Sequence, residues 1–193
     1  LRLYDIDSGE IRINGDNIKS IPDDVLHNKF GMAFQNDFLY ADTIKENIVF
    51  GRDIDITQLQ IAAKSAQAME FIESLDDEFE HELTIKGSNL SGGQKQRLLI
   101  SRALAGNPEI LILDDSSSAL DYKTDALLRK EINDNFKDTT AIIITQRISS
   151  IMNSDYIMVI DDGKCIGYGT HEELLVTCES YKEISDAQMG GGI

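Results

Sequence analysis

The sequence predicts an α/β fold, in which helices pack on a largely parallel sheet. Three observations lead there. The aliphatic runs in "EILILDD" (109–115) and "TTAIIIT" (139–145) are too short for helices and suit parallel strands buried on both faces. Segments of helical periodicity alternate with these runs. The turn pairs Asn14-Gly15 and Asp162-Gly163 mark places where a strand closes or doubles back. No internal repeat, linker or low-complexity tract interrupts the 193 residues, so the chain reads as one structural unit.

The elements follow in order. Glu10–Ile13 reads as a short strand closed by Asn14-Gly15. "KFGMAFQ", Lys29 to Gln35, reads as a buried strand ending in a polar residue. Thr43 is placed to cap a helix, with Glu46 three residues on to complete a capping box. Residues 57–75 carry a helical pattern that puts Leu59, Ala62, Ala63, Ala66 and Met69 on one face. The polar stretch 76–89 reads as a loop. Ser91 then opens a helix to about Ala105, which "GNP" ends. A further helix is expected over 124–135. "DYIMVIDDGKCIGYG" reads as two strands joined at Asp162-Gly163. Thr170 and Glu173 form a second capping box, opening the helix "HEELLVT". Beyond Ser185 the periodicity is lost, and the terminal "GGGI" is expected to fray.

Composition excludes several classes. With 18 basic and 34 acidic residues the net charge is 18 − 34 = −16, which argues against a nucleic-acid footprint. The excess acid reads as a solvated surface. No apolar run approaches the ~18 residues that span a bilayer, and no signal peptide opens the chain. Cys165 and Cys178 are too few for a disulfide framework and fit a reducing compartment. His27 and His81 lie in polar surroundings and read as surface residues, and His171 sits in the first turn of a capped helix, where no metal role is expected.

Two segments in succession carry chemistry. Asp114 closes the aliphatic run 110–113, and a carboxylate at the carboxyl end of a parallel strand sits where α/β sheets bind ligands. "LSGGQ" (Leu90 to Gln94) puts a serine and two glycines at a helix start. Bare N–H groups there, and the helix dipole, favour an anion.

Together these segments resemble the nucleotide-binding domain of ATP-binding cassette (ABC) transporters. "LSGGQ" is similar to the signature motif, "ILILD" (Ile110 to Asp114) to Walker B, "SALD" (Ser118 to Asp121) to the D-loop, and Gln35 to the Q-loop glutamine. "TIKENIVFG" (Thr43 to Gly51) and "GTHEELL" (Gly169 to Leu175) resemble the exporter branch. The resemblance covers nearly the whole chain, with the motifs in the family's order. It implies a P-loop NTPase-like ABC ATPase domain, with a helical signature subdomain at about 43–105. The catalytic core would be 1–42 and 106–170, with C-terminal helices at 171–188. It also implies ATP and Mg²⁺ as ligands. Asp114 and Gln35 would face the metal, and Gln35, Asp121 and Leu90, Ser91, Gly92, Gly93 and Gln94 the nucleotide. The implied partners are a second nucleotide-binding domain and the transmembrane domain of an exporter at the cytoplasmic face of the cell membrane. In this family two domains meet head to tail, so Leu90–Gln94 would serve the partner's ATP while Asp114 serves the chain's own.

The chain departs from the family pattern in four places. The Walker A string G-x-x-x-x-G-K-[ST] is absent, since Gly163-Lys164 is followed by Cys165 and has Met158 where the first glycine belongs. The chain therefore reads as an N-terminally truncated domain that alone would be inactive and bind ATP poorly. Asp115 stands where the family usually has the Glu that orients the attacking water, drawing the carboxylate back by about 1.5 Å. Gln146 stands at the switch histidine; it can donate a hydrogen bond but cannot carry charge or relay a proton. Ile85 replaces a usual acidic residue two positions before Gly87. An intact signature beside altered catalytic positions Asp115 and Gln146 implies the degenerate-site half of a heterodimeric exporter. Two alternatives stay open: an ATP-gated dimerisation module without turnover, and a DNA-repair or chromosome-organising ATPase head. The latter would carry a long coiled coil, for which no heptad run appears.

Overall fold

The structure is a computed structural model that describes residues 1–35 and 37–190. They form two compact units that divide between Ile142 and Ile143.

In the first unit, β1 (Arg12–Ile13) and β2 (Asp16–Asn17) pair antiparallel across Asn14-Gly15. Both turn residues have positive φ, 51° and 89°, the tight-hairpin geometry that Asn-Gly favours. Helix α1 (Asp23–Asn28) leads into β3 (Phe30–Ala33). Then come α2 (Ile44–Val49), α3 (Ile56–Ser65), α4 (Met69–Glu73) and the long α5 (Gly92–Ala105). Strand β4 (Ile110–Asp114) pairs parallel to β3, with Ala33 opposite Leu113. Helix α6 (Tyr122–Asn135) and β5 (Thr140–Ile144) follow, and the sheet order is β3-β4-β5.

Helix α5 is the spine of this unit, packing on β3, β4, α2 and α3. Its buried face carries Leu98, Ile100 and Leu104. Gly31 lets it come close to the sheet: a Cβ there would overlap the Ala103 carbonyl oxygen.

Several expectations need correction. Strand β4 buries Leu111 and Leu113 but leaves Ile110 and Ile112 half-buried. A parallel strand is buried on both faces only where two layers cover it. Here α5 covers one face, and Ile112 lines a cavity of about 780 Å³ with residues near Leu1–Ile6. Strand β5 is more open still, with Ile142 48% and Ile144 50% exposed, because it ends the sheet order. The helical pattern 57–75 is two helices. Gln67 takes φ 59°, which ends α3 and starts α4, and Met69 is only half-buried. The capping box at Thr43 is half formed. The Thr43 hydroxyl accepts from Glu46 N–H at 3.1 Å, but the Thr43 N–H donates to Asp42 at 2.8 Å, which displaces the Glu46 side chain. Within 76–89 the loop contains two single 3₁₀ turns, Glu78–Glu80 and Ile85–Gly87.

In the second unit, α7 (Ile148–Ile151) precedes the hairpin of β6 (Ile157–Asp161) and β7 (Lys164–Gly169), then α8 (His171–Thr177) and α9 (Glu179–Met189). Asp162 and Gly163 turn with φ 45° and 72°, as a two-residue hairpin requires. Ile148, Ile157, Leu174, Cys178 and Tyr181 form its core. The Thr170/Glu173 capping box is complete. The helix does not lose its order after Ser185. It continues to Met189 because Gln188 is anchored: its Oε1 accepts from Ile148 N–H (2.9 Å) and its Nε2 donates to the Gln146 carbonyl (2.7 Å). Of the "GGGI" tail, residues 191–193 lie outside the described residues. Among the described residues no helix is long and apolar enough to cross a membrane.

Candidate nucleotide site

The parallel register of β3 and β4 sets their carboxyl ends level, and three polar side chains meet there. Asp114 is the last residue of β4 and Asp115 the first beyond it. Gln35, two residues past β3, donates from Nε2 to Asp115 Oδ2 at 3.1 Å. Asp115 takes φ 46°, a left-handed conformation costing roughly 1 kcal/mol. Strain of this kind clusters at functional sites. The next residue, Ser116, is buried, and among the described residues its hydroxyl has no hydrogen-bond partner. Asp114 and Asp115 are half-buried. Among the described residues no cluster of three or more His, Cys, Asp or Glu forms a metal cage. One or two carboxylates at a strand end fit Mg²⁺, which keeps several waters and takes substrate phosphate as ligand.

The signature segment forms a second locus. Leu90 is buried and anchors the turn. Ser91 caps α5 with a complete capping box: Gln94 N–H donates to Ser91 Oγ (3.3 Å), and Ser91 N–H donates to Gln94 Oε1 (2.8 Å). Ser91 and Gly92 remain exposed at the start of this 14-residue helix. Gly93 has a packing reason beside any ligand, since a Cβ there would come within 3.2 Å of the Ala119 carbonyl oxygen, whereas one on Gly92 would make only an ordinary 3.6 Å contact with Ala119 Cβ. So the loop 116–121 lies on the first turn of α5. Asp121 ends that loop as the cap of α6, accepting from Thr124 N–H (2.9 Å) and Thr124 Oγ1 (2.8 Å). Those hydrogen bonds, the backbone one foremost, hold its carboxyl below the usual range.

Thus Gln35, Asp114 and Asp115 come together, and Leu90–Gln94 come together with the Asp121 loop. Gln146 lies in the second unit, exposed past β5, with its carbonyl taking the Gln188 hydrogen bond.

Sequence reading missed the residues that lock these parts in place. Arg102 on α5 is 7% exposed. It donates to the Asn47 carbonyl (2.7 Å), Asn47 Oδ1 (3.1 Å) and the Phe38 carbonyl (3.1 Å), and its guanidinium lies 4.5 Å from the Phe50 ring centroid. Burial lowers its pKa, which Asp37 opposes. Asn47 in turn ties the Tyr40 N–H and the Tyr40 and Thr43 carbonyls. The hub therefore fixes the segment after Gln35 onto α5. The one signal for it was an arginine set among the apolar residues Leu98, Leu99, Ile100, Ala103 and Leu104 in the second half of α5.

Comparison with known proteins agrees with this geometry. Residues 1–118 match the ABC transporter family. The chain is 40% identical over 188 residues to a protein of Staphylococcus aureus (strain NCTC 8325) named as a multidrug export ATP-binding/permease protein, covering 97% of this chain and 32% of that one. Its counterpart in strain bovine RF122 is 39% identical over 191 residues. The chain thus spans about a third of the length of these curated relatives. Among solved structures, a bacterial Atm1-family ABC exporter with ATP bound superposes with a TM-score of 0.91 at 36% identity, covering 96% of this chain and 33% of that chain. With its strand-end carboxylates, capped signature helix and parallel sheet, this chain belongs to the ABC transporter family, as a nucleotide-binding ATPase domain of the exporter branch.

Proposed function

We propose that this chain is the ATP-hydrolysing part of an exporter subunit, with a slow site of its own and a signature that completes a faster site on a partner domain. It is one nucleotide-binding domain, with residues 43–105 as its helical signature subdomain. It works at the cytoplasmic face of the membrane against a transmembrane domain. A heterodimeric partner supplies the opposite signature.

The positions of the residues support this division of labour. Asp114 and Gln35 face the chain's own nucleotide, with Asp114 toward Mg²⁺. The bound metal, when present, neutralises charge building on the phosphates. Asp115 takes the place of the base that orients the attacking water. Its carboxylate is short by about one methylene and is also held back toward Gln35. A base that cannot reach its water costs rate, not affinity. Gln146 offers an amide dipole where the family has an imidazole. Ser91 presents its hydroxyl, and Gly92 and Gly93 their helix-start N–H groups, to the partner's nucleotide, where the helix dipole favours phosphate.

The observation that carries this reading is the exposed, fully capped Ser91–Gly92 turn at the head of α5. It is intact while the Asp115 position is altered. Its test is Ser91→Arg in the full transporter. Partner-site hydrolysis should fall to background while ATP binding persists. Wild-type turnover would reduce Ser91 to a helix cap. A second reading, an ATP-gated dimerisation module without turnover, is favoured by the Asp115–Gln35 bond alone. Mutating the partner's catalytic Glu separates the two, because turnover is lost only in the first.

A further inference from the structure

We infer that Gln96 is a positioning residue that fastens the signature turn to the loop leaving the chain's own site, so that the two address the partner's nucleotide as one body. The inference rests on the division of labour proposed above.

Gln96 lies in the second turn of α5, on the face that Gly92 and Gly93 share by i+4 and i+3 spacing. Its amide is used at both ends. Nε2 donates to Ser118 Oγ at 3.0 Å, and Oε1 accepts from Ala119 N–H at 2.8 Å. The same Ala119 faces the space that the two glycines leave open. One side chain thus spans 22 and 23 residues of sequence to grip two consecutive residues of the loop. The loop is short and taut: Leu120 N–H donates to the Ser117 carbonyl at 3.0 Å, Leu120 is 4% exposed, and Asp121 is committed as the cap of α6. At its other end it begins at Asp114 and Asp115.

This geometry gives a physical path between two sites. A shift at Asp115 moves the start of the loop. Gln96 holds the middle of the loop to the first turns of α5, so the shift is transmitted to Ser91 and Gly92 instead of being absorbed by loop bending. Neutral amide bonds suit this task, since they fix direction through two parallel contacts without adding charge beside a phosphate site. Ser118→Ala removes one contact and leaves the Ala119 N–H bond, so it separates the two. Gln96→Glu keeps the Ala119 acceptor, reverses the Ser118 bond so that the hydroxyl donates, and adds a charge.

The experiment uses the full transporter with Mg-ATP. Steady-state kcat and KM are measured for Gln96→Ala, Gln96→Glu, Ser118→Ala and the double variant Gln96→Ala/Ser118→Ala, beside Ser91→Arg and thermal unfolding of each. The inference expects kcat to fall about tenfold in Gln96→Ala, the scale of a sub-ångström misplacement, with KM within twofold and an unchanged unfolding midpoint. It expects a smaller fall in Gln96→Glu and Ser118→Ala, and a double variant no worse than Gln96→Ala alone. Wild-type kcat in Gln96→Ala, alongside a silent Ser91→Arg, overturns the inference and leaves the proposed function standing. Additive losses in the double variant also overturn it, because the two residues then act separately. Full turnover in Ser91→Arg removes the proposed function and this inference with it. Should Gln96→Ala fail to fold, Ser118→Ala decides: a fall in kcat supports the bridge, and a wild-type rate overturns it.

Discussion

At the scale of single residues, the molecule is governed by close approaches and buried charge. Gly31 is the tightest point, since any Cβ meets the Ala103 carbonyl oxygen and the Pro108 ring. A carbonyl in a helix has nowhere to retreat. Gly31→Ala should therefore destabilise the fold by about 1–3 kcal/mol, read as a lowered unfolding midpoint in denaturant. Arg102 is the other extreme. Arg102→Met fills similar volume but leaves Asn47 and the Phe38 carbonyl without their donor. A loss of about 3 kcal/mol is expected, measured in the same way. Neither residue announces its role in sequence. The β3–α5 contact joins residues some seventy positions apart, and nothing local to "KFGMAFQ" says that a helix backbone will press on it. The Gln35–Asp115 bond spans 80 positions and was equally unreadable as a contact. Each residue alone was legible as a strand-end polar group.

At the scale of elements, caps and turns decide where helices begin, and these were largely readable. Ser91 and Thr170, both expected to open helices, each accept from the N–H three residues on, and Asp121 does the same for α6, which starts at Tyr122 and not at the expected 124. The exceptions have local causes. Asp42 takes the hydrogen bond expected of Glu46, and Gln67 breaks a continuous apolar stripe by adopting positive φ. Hydrophobic periodicity continues through such a break, so it reports the buried face and not the break itself. Asp121 yields a pH prediction with a definite sign. Its folded-state carboxyl is held below its ordinary value of 3.8 by the Thr124 hydrogen bonds. The stabilisation is therefore fully present above that ordinary value and is lost as pH falls through the depressed folded one. Thermal melts between pH 7 and pH 2.5 should show Asp121→Asn less stable than wild type near neutrality, with the gap closing in acid. A constant gap would mean that the carboxylate's charge is not what caps α6.

At the scale of the whole molecule, the order of motifs revealed the family, while strand burial did not follow from composition. Strand β5 is as aliphatic as a core strand, yet Ile142 and Ile144 are half exposed, because burial depends on what lies over a strand. The 193 residues hold no phosphate-binding glycine loop with its lysine, so titration of labelled Mg-ATP onto them alone should show no micromolar binding. The central claim is that Asp115 and Gln146 make the chain's own site slow while leaving it able to hold nucleotide. The most direct measurement restores both, Asp115→Glu and Gln146→His, in the full transporter with the partner's catalytic Glu mutated to silence the other site. Glutamate extends the carboxylate past its present hydrogen bond to Gln35, and histidine returns a group that can carry a proton. Hydrolysis at this site should rise by about tenfold to a hundredfold, with the two changes non-additive, as the proposed shared role in one turnover requires. Nucleotide affinity should hold steady. Equal, negligible turnover before and after the double change, with an intact partner signature, would contradict the account.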